Sequence, residues 1–261
     1  MKKNIKLLFF LTLLISFNNA KAIAENSQEL LKVDWSFKSF IGKFDRASLQ
    51  RGYQVYNEVC SSCHSVKYLS YRNLMEKGGP EFSEEEAKAI ASNFEVVDGP
   101  DSTGEMFTRN ARLSDKFVMP YANEEEAKSV NGGAYPPDMS VLVKARTGGA
   151  DYIYSLLLGY EDDPPVDVKL DDGVYYNKYM YGNKIKMSAP LSDDLIEYSD
   201  GTKATSEQMA KDVVSFLMWA AEPHLEQRHK FGFRVLIYLI IISVLVYFSM
   251  KKIWSRIESK V

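Results

Sequence analysis

Apolar positions recur with different periods along the chain, and each change of period marks an element. Between Asp45 and the segment at residue 60, Leu49, Tyr53 and Tyr56 recur at i, i+4 and i+7, the inward stripe of an amphipathic helix. Asp45 stands where an N-cap would accept the first free N–H groups, so the spacing predicts a helix from Arg46 past Tyr56. Glu84-Glu85-Glu86-Ala87-Lys88 recurs as Glu124-Glu125-Glu126-Ala127-Lys128, preceded by the capping residues Ser83 and Asn123. The flanks differ, so this is shared helix-start chemistry rather than a repeated domain. A helix is expected from after Pro136-Pro137-Asp138 to about Arg146. Gly148-Gly149 breaks the chain before a second helix, capped by Asp151 and ending near Gly159. Residues 161–206 are turn-rich, with short strands expected at Val174-Tyr175-Tyr176 and from Lys184 to Met187. Thr205 and Gln208, at capping-box spacing, open a helix that turns Met209, Val213, Phe216, Leu217 and Ala220 inward and stops near Pro223.

The two ends follow a different pattern. Val235 to Met250 carries no charge, and with Phe231 to Arg234 it makes 20 residues, about 30 Å of helix, the thickness of a hydrocarbon core. Lys251, Lys252, Arg256 and Lys260 follow, the basic excess of a cytoplasmic flank. At the start, Lys2, Lys3 and Lys6 precede the apolar Leu7 to Phe17 and two A-x-A sites, at Ala20-Lys21-Ala22 and Ala22-Ile23-Ala24. The expected organisation is therefore a cleaved signal peptide 1–22 (or 1–24), an exported domain 23–230, a transmembrane helix 231–250 and a cytoplasmic tail 251–261. This is a single-pass protein of the cell (inner) membrane with its large domain on the periplasmic side. The fold class is mainly α with long loops. No low-complexity linker separates Trp219 from the span, so the domain should sit rigidly on the membrane.

Charge sharpens the choice of partner. The whole chain has 32 basic and 35 acidic residues, but residues 23–227 carry 21 basic against 34 acidic side chains, a formal charge of −13. Such a field steers a basic partner and excludes nucleic acid. The chain has only two cysteines, and both lie in Cys60-Ser61-Ser62-Cys63-His64. This is the C-x-x-C-H signature of covalent haem attachment. Two thiols three positions apart can bond the two vinyl groups on one porphyrin edge, and the imidazole that follows lies beneath the iron. A bare redox pair would leave His64 without a role, and no second cluster exists to complete a tetrahedral zinc site. One covalent haem c is expected. For a sixth ligand, Met75, Met106, Met119, Met139, Met180 and Met187 remain as candidates. Met187 stands in a loop-like setting before Ser188-Ala189-Pro190, whose proline would help hold the backbone that presents the sulfur.

The ordered motifs from about Lys43 to Trp254 resemble the cytochrome c1 family. They include Arg51-Gly52-Tyr53-Gln54-Val55-Tyr56 leading into the pentad, Asp98-Gly99-Pro100, Gly104-Glu105-Met106-Phe107, Pro136-Pro137-Asp138 and Trp219-Ala220-Ala221-Glu222-Pro223. The resemblance implies Cys60 and Cys63 as thioether sites, and His64 and Met187 as the iron's two protein ligands. It implies Arg146 and Tyr152 at the propionates, with Pro136 and Pro137 packed on the haem. It further implies the electron-transfer subunit of ubiquinol–cytochrome c reductase, with no catalysis by the chain alone. The implied partners are a cytochrome b subunit, a Rieske iron–sulfur protein, a cytochrome c acceptor and the lipid membrane, within a dimeric complex. Some relatives carry an additional cysteine pair; this chain has none.

Overall fold

A computed structural model describes residues 28–166 and 168–258, so the expected signal peptide lies outside the described residues. The fold is mainly α. Helix α1, Arg46–Val55, starts where the Asp45 carboxylate accepts from the N–H groups of Ala47 (3.0 Å) and Ser48 (3.4 Å). Leu49, Tyr53 and Tyr56 are buried, as their spacing requires. The helix does not reach the cysteines as regular α-helix. Its last turn, Tyr56–Cys60, is a π-turn closed by Ser61 N–H donating to the Tyr56 carbonyl at 2.8 Å. The wider turn re-aims the residues that follow it, a common device where a helix delivers a functional side chain.

Helices α2 (Glu84–Ser92) and α3 (Glu124–Val130) begin at Ser83 and Asn123, whose side chains accept from Glu86 and Glu126 N–H. Between them, β1 (Glu95–Asp98) and β2 (Phe107–Asn110) pair antiparallel, with Glu95 opposite Asn110. The sequence marked only turns there, because these largely exposed strands lack apolar alternation.

Two local expectations are corrected. Residues 140–148 form successive turns rather than a helix, with bonds such as Leu142 N–H to Met139 O (3.2 Å) and Lys144 N–H to Val141 O (3.1 Å). The segment is pinned upstream by Asp138, whose carboxylate is drawn to residues 65–67. It ends at Gly148 and Gly149, both at positive φ. Helix α4, Gly149–Leu158, does follow, but Asp151 is not its cap. Asp151 lies buried in the first turn and accepts from Trp35 Nε1 (2.6 Å) and Lys38 Nζ (2.8 Å), fastening the strap before α1 to α4. The expected strands appear as the short pair β3 (Tyr175–Tyr176) and β4 (Lys184–Ile185).

Helix α5, Ser206–Ala221, opens at Thr205, whose hydroxyl accepts from Gln208 N–H at 3.2 Å. Met209, Val213, Phe216, Leu217 and Ala220 are all buried. α5 crosses α1 at Gly52, so closely that a Cβ there would stand 2.0 Å from the Asp212 carbonyl oxygen. Beside the crossing, the fully buried Asp212 carboxylate accepts from Ser48 Oγ (2.7 Å), Arg51 Nε (2.8 Å) and Gln208 Nε2 (2.9 Å). Burial works against the Arg51 charge, but Asp212 and Asp200 outweigh it and hold the guanidinium pKa above its ordinary value. Removing one partner of such a buried pair costs about 3–5 kcal/mol. Tyr53 packs edge-on against Phe82, Phe117 and Phe216, so the same two helices also form the aromatic core.

Only residues 222–224 separate α5 from α6, Leu225–Glu258, which takes in the uncharged run and is long and apolar enough to cross a membrane. The Glu222 carboxylate joins the two, paired with Lys144 and Arg228. This short, ion-paired junction agrees with the absence of a flexible linker in the sequence.

Candidate haem site

The π-turn delivers Cys60 to a tight loop in which the N–H groups of Cys63 (3.1 Å) and His64 (2.9 Å) both donate to the Cys60 carbonyl. Both cysteines are free thiols and half-buried. Burial pushes the Cys60 thiol up to about 12, and Cys63 adds to the effect. A thiol raised this far is protonated at neutral pH, so Cys60 is a poor nucleophile for disulfide exchange. Among the described residues no three acidic, histidine or cysteine side chains gather as a metal cage.

His64 is buried, and its Nδ1 lies 2.8 Å from the Pro137 carbonyl oxygen. A carbonyl can only accept, so Nδ1 carries the proton and Nε2 keeps its lone pair. Burial lowers the imidazole's pKa, opposed by Pro137 and Asp138, and this keeps the ring neutral and able to bind a metal. The backbone behind it is also held: the Tyr56 hydroxyl donates to the His64 carbonyl at 3.1 Å.

Asp138, which in the sequence reads only as a helix start, holds this arrangement together. Its carboxylate accepts from Ser65 Oγ (2.7 Å), Lys67 N–H (2.9 Å) and Ser140 N–H (3.0 Å), while Met139 N–H donates to the Ser65 carbonyl at 2.7 Å. The segment after the pentad is thereby clamped to the segment carrying Pro136 and Pro137. Burial would raise the Asp138 carboxyl's pKa, but the donors from Lys67, Ser140 and Ser65 outweigh it and leave it below the usual range. No motif marks this clamp, because its partners lie about 70 residues apart in the chain.

Arg146 is exposed and lies near enough to Tyr152 to offset part of the rise that burial imposes on that phenol. The Tyr152 hydroxyl donates to Met180 Sδ at 3.6 Å. Among the candidate methionines, Met75 is half-buried at the end of the short turn Tyr71–Met75, Met106 and Met119 are exposed, Met139 belongs to the core, and Met180 serves Tyr152. Met187 is half-buried, just beyond β4. Its neighbour Lys186 donates through Nζ to the Gly132 carbonyl at 2.7 Å, tying the Met187 segment to the loop that leads into Pro136. Asn177 Nδ2 donates to Leu156 O at 2.7 Å, fastening the β3–β4 unit to α4.

The donor set fits a covalently held porphyrin: two free thiols at the required spacing and an imidazole with its outer nitrogen committed to a carbonyl. Residues 35–257 match the model of the Cytochrome C1 family. Cytochrome c1 1, heme protein, mitochondrial, of Arabidopsis thaliana is 46% identical over 251 residues, covering 95% of this chain and 80% of that protein. The cytochrome b-c1 complex catalytic subunit, mitochondrial, of Candida albicans is 44% identical over 242 residues, covering 93% of this chain and 83% of that protein. Cytochrome b/c1 of Bradyrhizobium diazoefficiens is 46% identical over 239 residues, covering 85% of this chain; the match spans only 35% of that longer protein.

Proposed function

The chain belongs to the cytochrome c1 family, and on that premise we propose that it is the membrane-anchored haem subunit of a ubiquinol–cytochrome c reductase. It would take electrons from a Rieske iron–sulfur protein beside a cytochrome b subunit and give them to cytochrome c, within a dimeric complex. In this reading residues 1–22 (or 1–24) are a cleaved leader, the chain from there to 230 the periplasmic domain, 231–250 the span and 251–261 the cytoplasmic tail. The prosthetic group supplies a one-electron carrier that changes redox state without leaving the protein.

The chain's own residues do the rest. Cys60 and Cys63 would anchor one haem c through thioethers, so the carrier is not lost on reduction. His64 would offer Nε2 to the iron, its ring orientation held by Pro137 and, through the clamp, by Asp138. Met187 would offer its thioether as the second protein ligand, a pairing that raises the potential relative to two nitrogens. Arg146, with a forked guanidinium, and Tyr152 would bind the propionates. Pro136 and Pro137 would pack on the ring and exclude water. No side chain is asked to move a proton or act as a nucleophile, so the chain alone catalyses no bond-making step.

The observation that carries this function is the His64 Nδ1 to Pro137 contact beside two free thiols at C-x-x-C-H spacing. The test is a pyridine haemochrome spectrum of detergent-solubilised, acid–acetone-extracted protein, with identification of the subunits recovered alongside. A matured chain that retains no iron porphyrin refutes the function. Recovery without cytochrome b and Rieske partners would instead make it a free-standing carrier. Met187→Leu should keep the haem attached but lower its potential and admit carbon monoxide to the reduced protein. A reduced variant that still refuses carbon monoxide removes Met187 as ligand.

A further inference from the structure

Two neighbouring clefts of about 270 Å³ each open where α6 leaves the domain. The first lies between the Ile41–Lys43 turn and the helix face bearing His229, Lys230, Phe233 and Arg234; the second shares Lys43 and Lys230 and adds Arg46 and Lys77. Arg234 borders the uncharged run that begins at Val235, so if α6 spans a membrane, these clefts lie at head-group depth on its outer side.

Three features of the clefts call for a ligand. Among the described residues, Lys43, Lys77, Lys230 and Arg234 form no salt bridge. One carboxylate, Glu226, lines both clefts; its Oε1 pairs with Arg46 at 2.8 Å and accepts from Phe44 N–H at 3.0 Å, so Arg46 offsets its charge and leaves the other four cations in excess. His229 lines the first cleft, and its Nδ1 is buried without a hydrogen-bond partner. A buried ring nitrogen left bare is costly, and an anionic oxygen would satisfy it as an N–H acceptor. Finally, Phe40 and Ile41 are 73% and 74% exposed at the tip of the same turn, and Phe233 is 54% exposed beside them. Apolar tips flanked by unpaired cations suit a lipid interface rather than open water.

We propose that this site binds an anionic phospholipid, its phosphate held by Lys43, Lys230, Arg234 and His229 and its acyl chains running along Ile41 and Phe233. The proposal rests on α6 being a membrane span but is independent of the haem assignment. Four cationic or donor groups against one carboxylate, itself paired with Arg46, favour a phosphodiester over a protein surface, and the apolar walls favour a lipid over free phosphate. Bound there, the lipid would hold the exported domain at a defined height on its anchor.

The test uses the full-length protein, with any subunits that accompany it, delipidated in mild detergent and examined by native mass spectrometry. Dioleoyl-phosphatidylglycerol and dioleoyl-phosphatidylcholine are titrated separately, the former also in the presence of millimolar inorganic phosphate. Each membrane-surface cation is worth about fivefold in binding, so Lys43→Gln with Lys230→Gln should weaken phosphatidylglycerol roughly 25-fold. Lys43→Arg with Lys230→Arg should restore it, with phosphatidylcholine unchanged throughout and phosphate competing poorly. Equal phosphatidylglycerol retention by the wild-type and Gln proteins overturns the proposal. Amine labelling of Lys43 and Lys230 that is blocked in the delipidated complex, with or without lipid, assigns the clefts to a protein partner instead. Release of the chain from membranes by alkaline carbonate would refute the span itself and the lipid site with it. Because the substituted lysines are exposed, the Gln protein should melt as the wild type does.

Discussion

Gly52→Ala tests how closely α1 and α5 cross. In an isolated helix this change is favourable, since alanine is the better helix former by about 0.8–1 kcal/mol. Here the added methyl would stand 2.0 Å from the Asp212 carbonyl oxygen and 2.8 Å from Phe216 Cβ. Non-bonded heavy atoms rest about 3.5 Å apart, so the helices must separate by about 1.5 Å. That movement loosens Tyr53 against Phe216 and strains the Asp212 hydrogen bonds to Ser48 and Arg51. Overpacking of this kind costs about 1–3 kcal/mol, and pulling on the buried ion pair adds to it, for a net loss of about 2–3 kcal/mol. For a domain of this size each kcal/mol moves the melting midpoint by about 2–4 °C, so the expected fall is roughly 4–12 °C. Differential scanning fluorimetry of the detergent-solubilised chain reads it directly. Gly232→Ala is the control: it lies in α6 with nothing within 4 Å of a built Cβ, and its midpoint should not fall. A Gly52→Ala protein that melts at or above the wild-type temperature refutes the close crossing.

Asp138→Ala should lower the guanidinium midpoint by the equivalent of about 2 kcal/mol, mostly from the stranded Ser140 N–H, because water can replace the carboxylate at exposed Lys67; an unchanged midpoint removes the clamp. Asp151→Asn tests the acid limb of stability. Burial would raise the Asp151 carboxyl's pKa, but Lys38 and Trp35 outweigh it and leave the pKa below the ordinary value. The native state therefore binds this proton more weakly than the unfolded chain. Its stabilisation is complete above about pH 4 and is lost as pH falls through the lower native value. The fall in melting temperature between pH 6 and pH 3 should be smaller in the variant, and an identical fall contradicts the assignment. Reduction of a basic cytochrome c acceptor should slow as salt rises, given the −13 formal charge of residues 23–227; a rate flat in ionic strength removes steering.

What could be read along the chain is what short-range physics governs. The caps at Asp45, Ser83, Asn123 and Thr205 act within three residues, and all four open helices as expected. The uncharged run at 235–250 and the C-x-x-C-H pentad are equally local. Asp151 shows where such reasoning stops. Its position proposed a cap, but a tryptophan and a lysine more than 110 residues away bind its carboxylate more strongly than the helix end does. The 138–146 segment fails as a helix for a related reason, since Asp138 serves residues 65 and 67.

Sequence alone thus determined the chemistry available: two thiols, an adjoining imidazole, an acidic domain and an apolar anchor. Only the tertiary structure decided that His64 points its Nδ1 at the Pro137 carbonyl. A backbone acceptor has no side-chain signature, and it meets the ring only because packing brings positions 64 and 137 together. The approach of α1 to α5 at Gly52 was likewise hidden, because a close crossing depends on two surfaces at once and neither stretch of sequence encodes the distance between them.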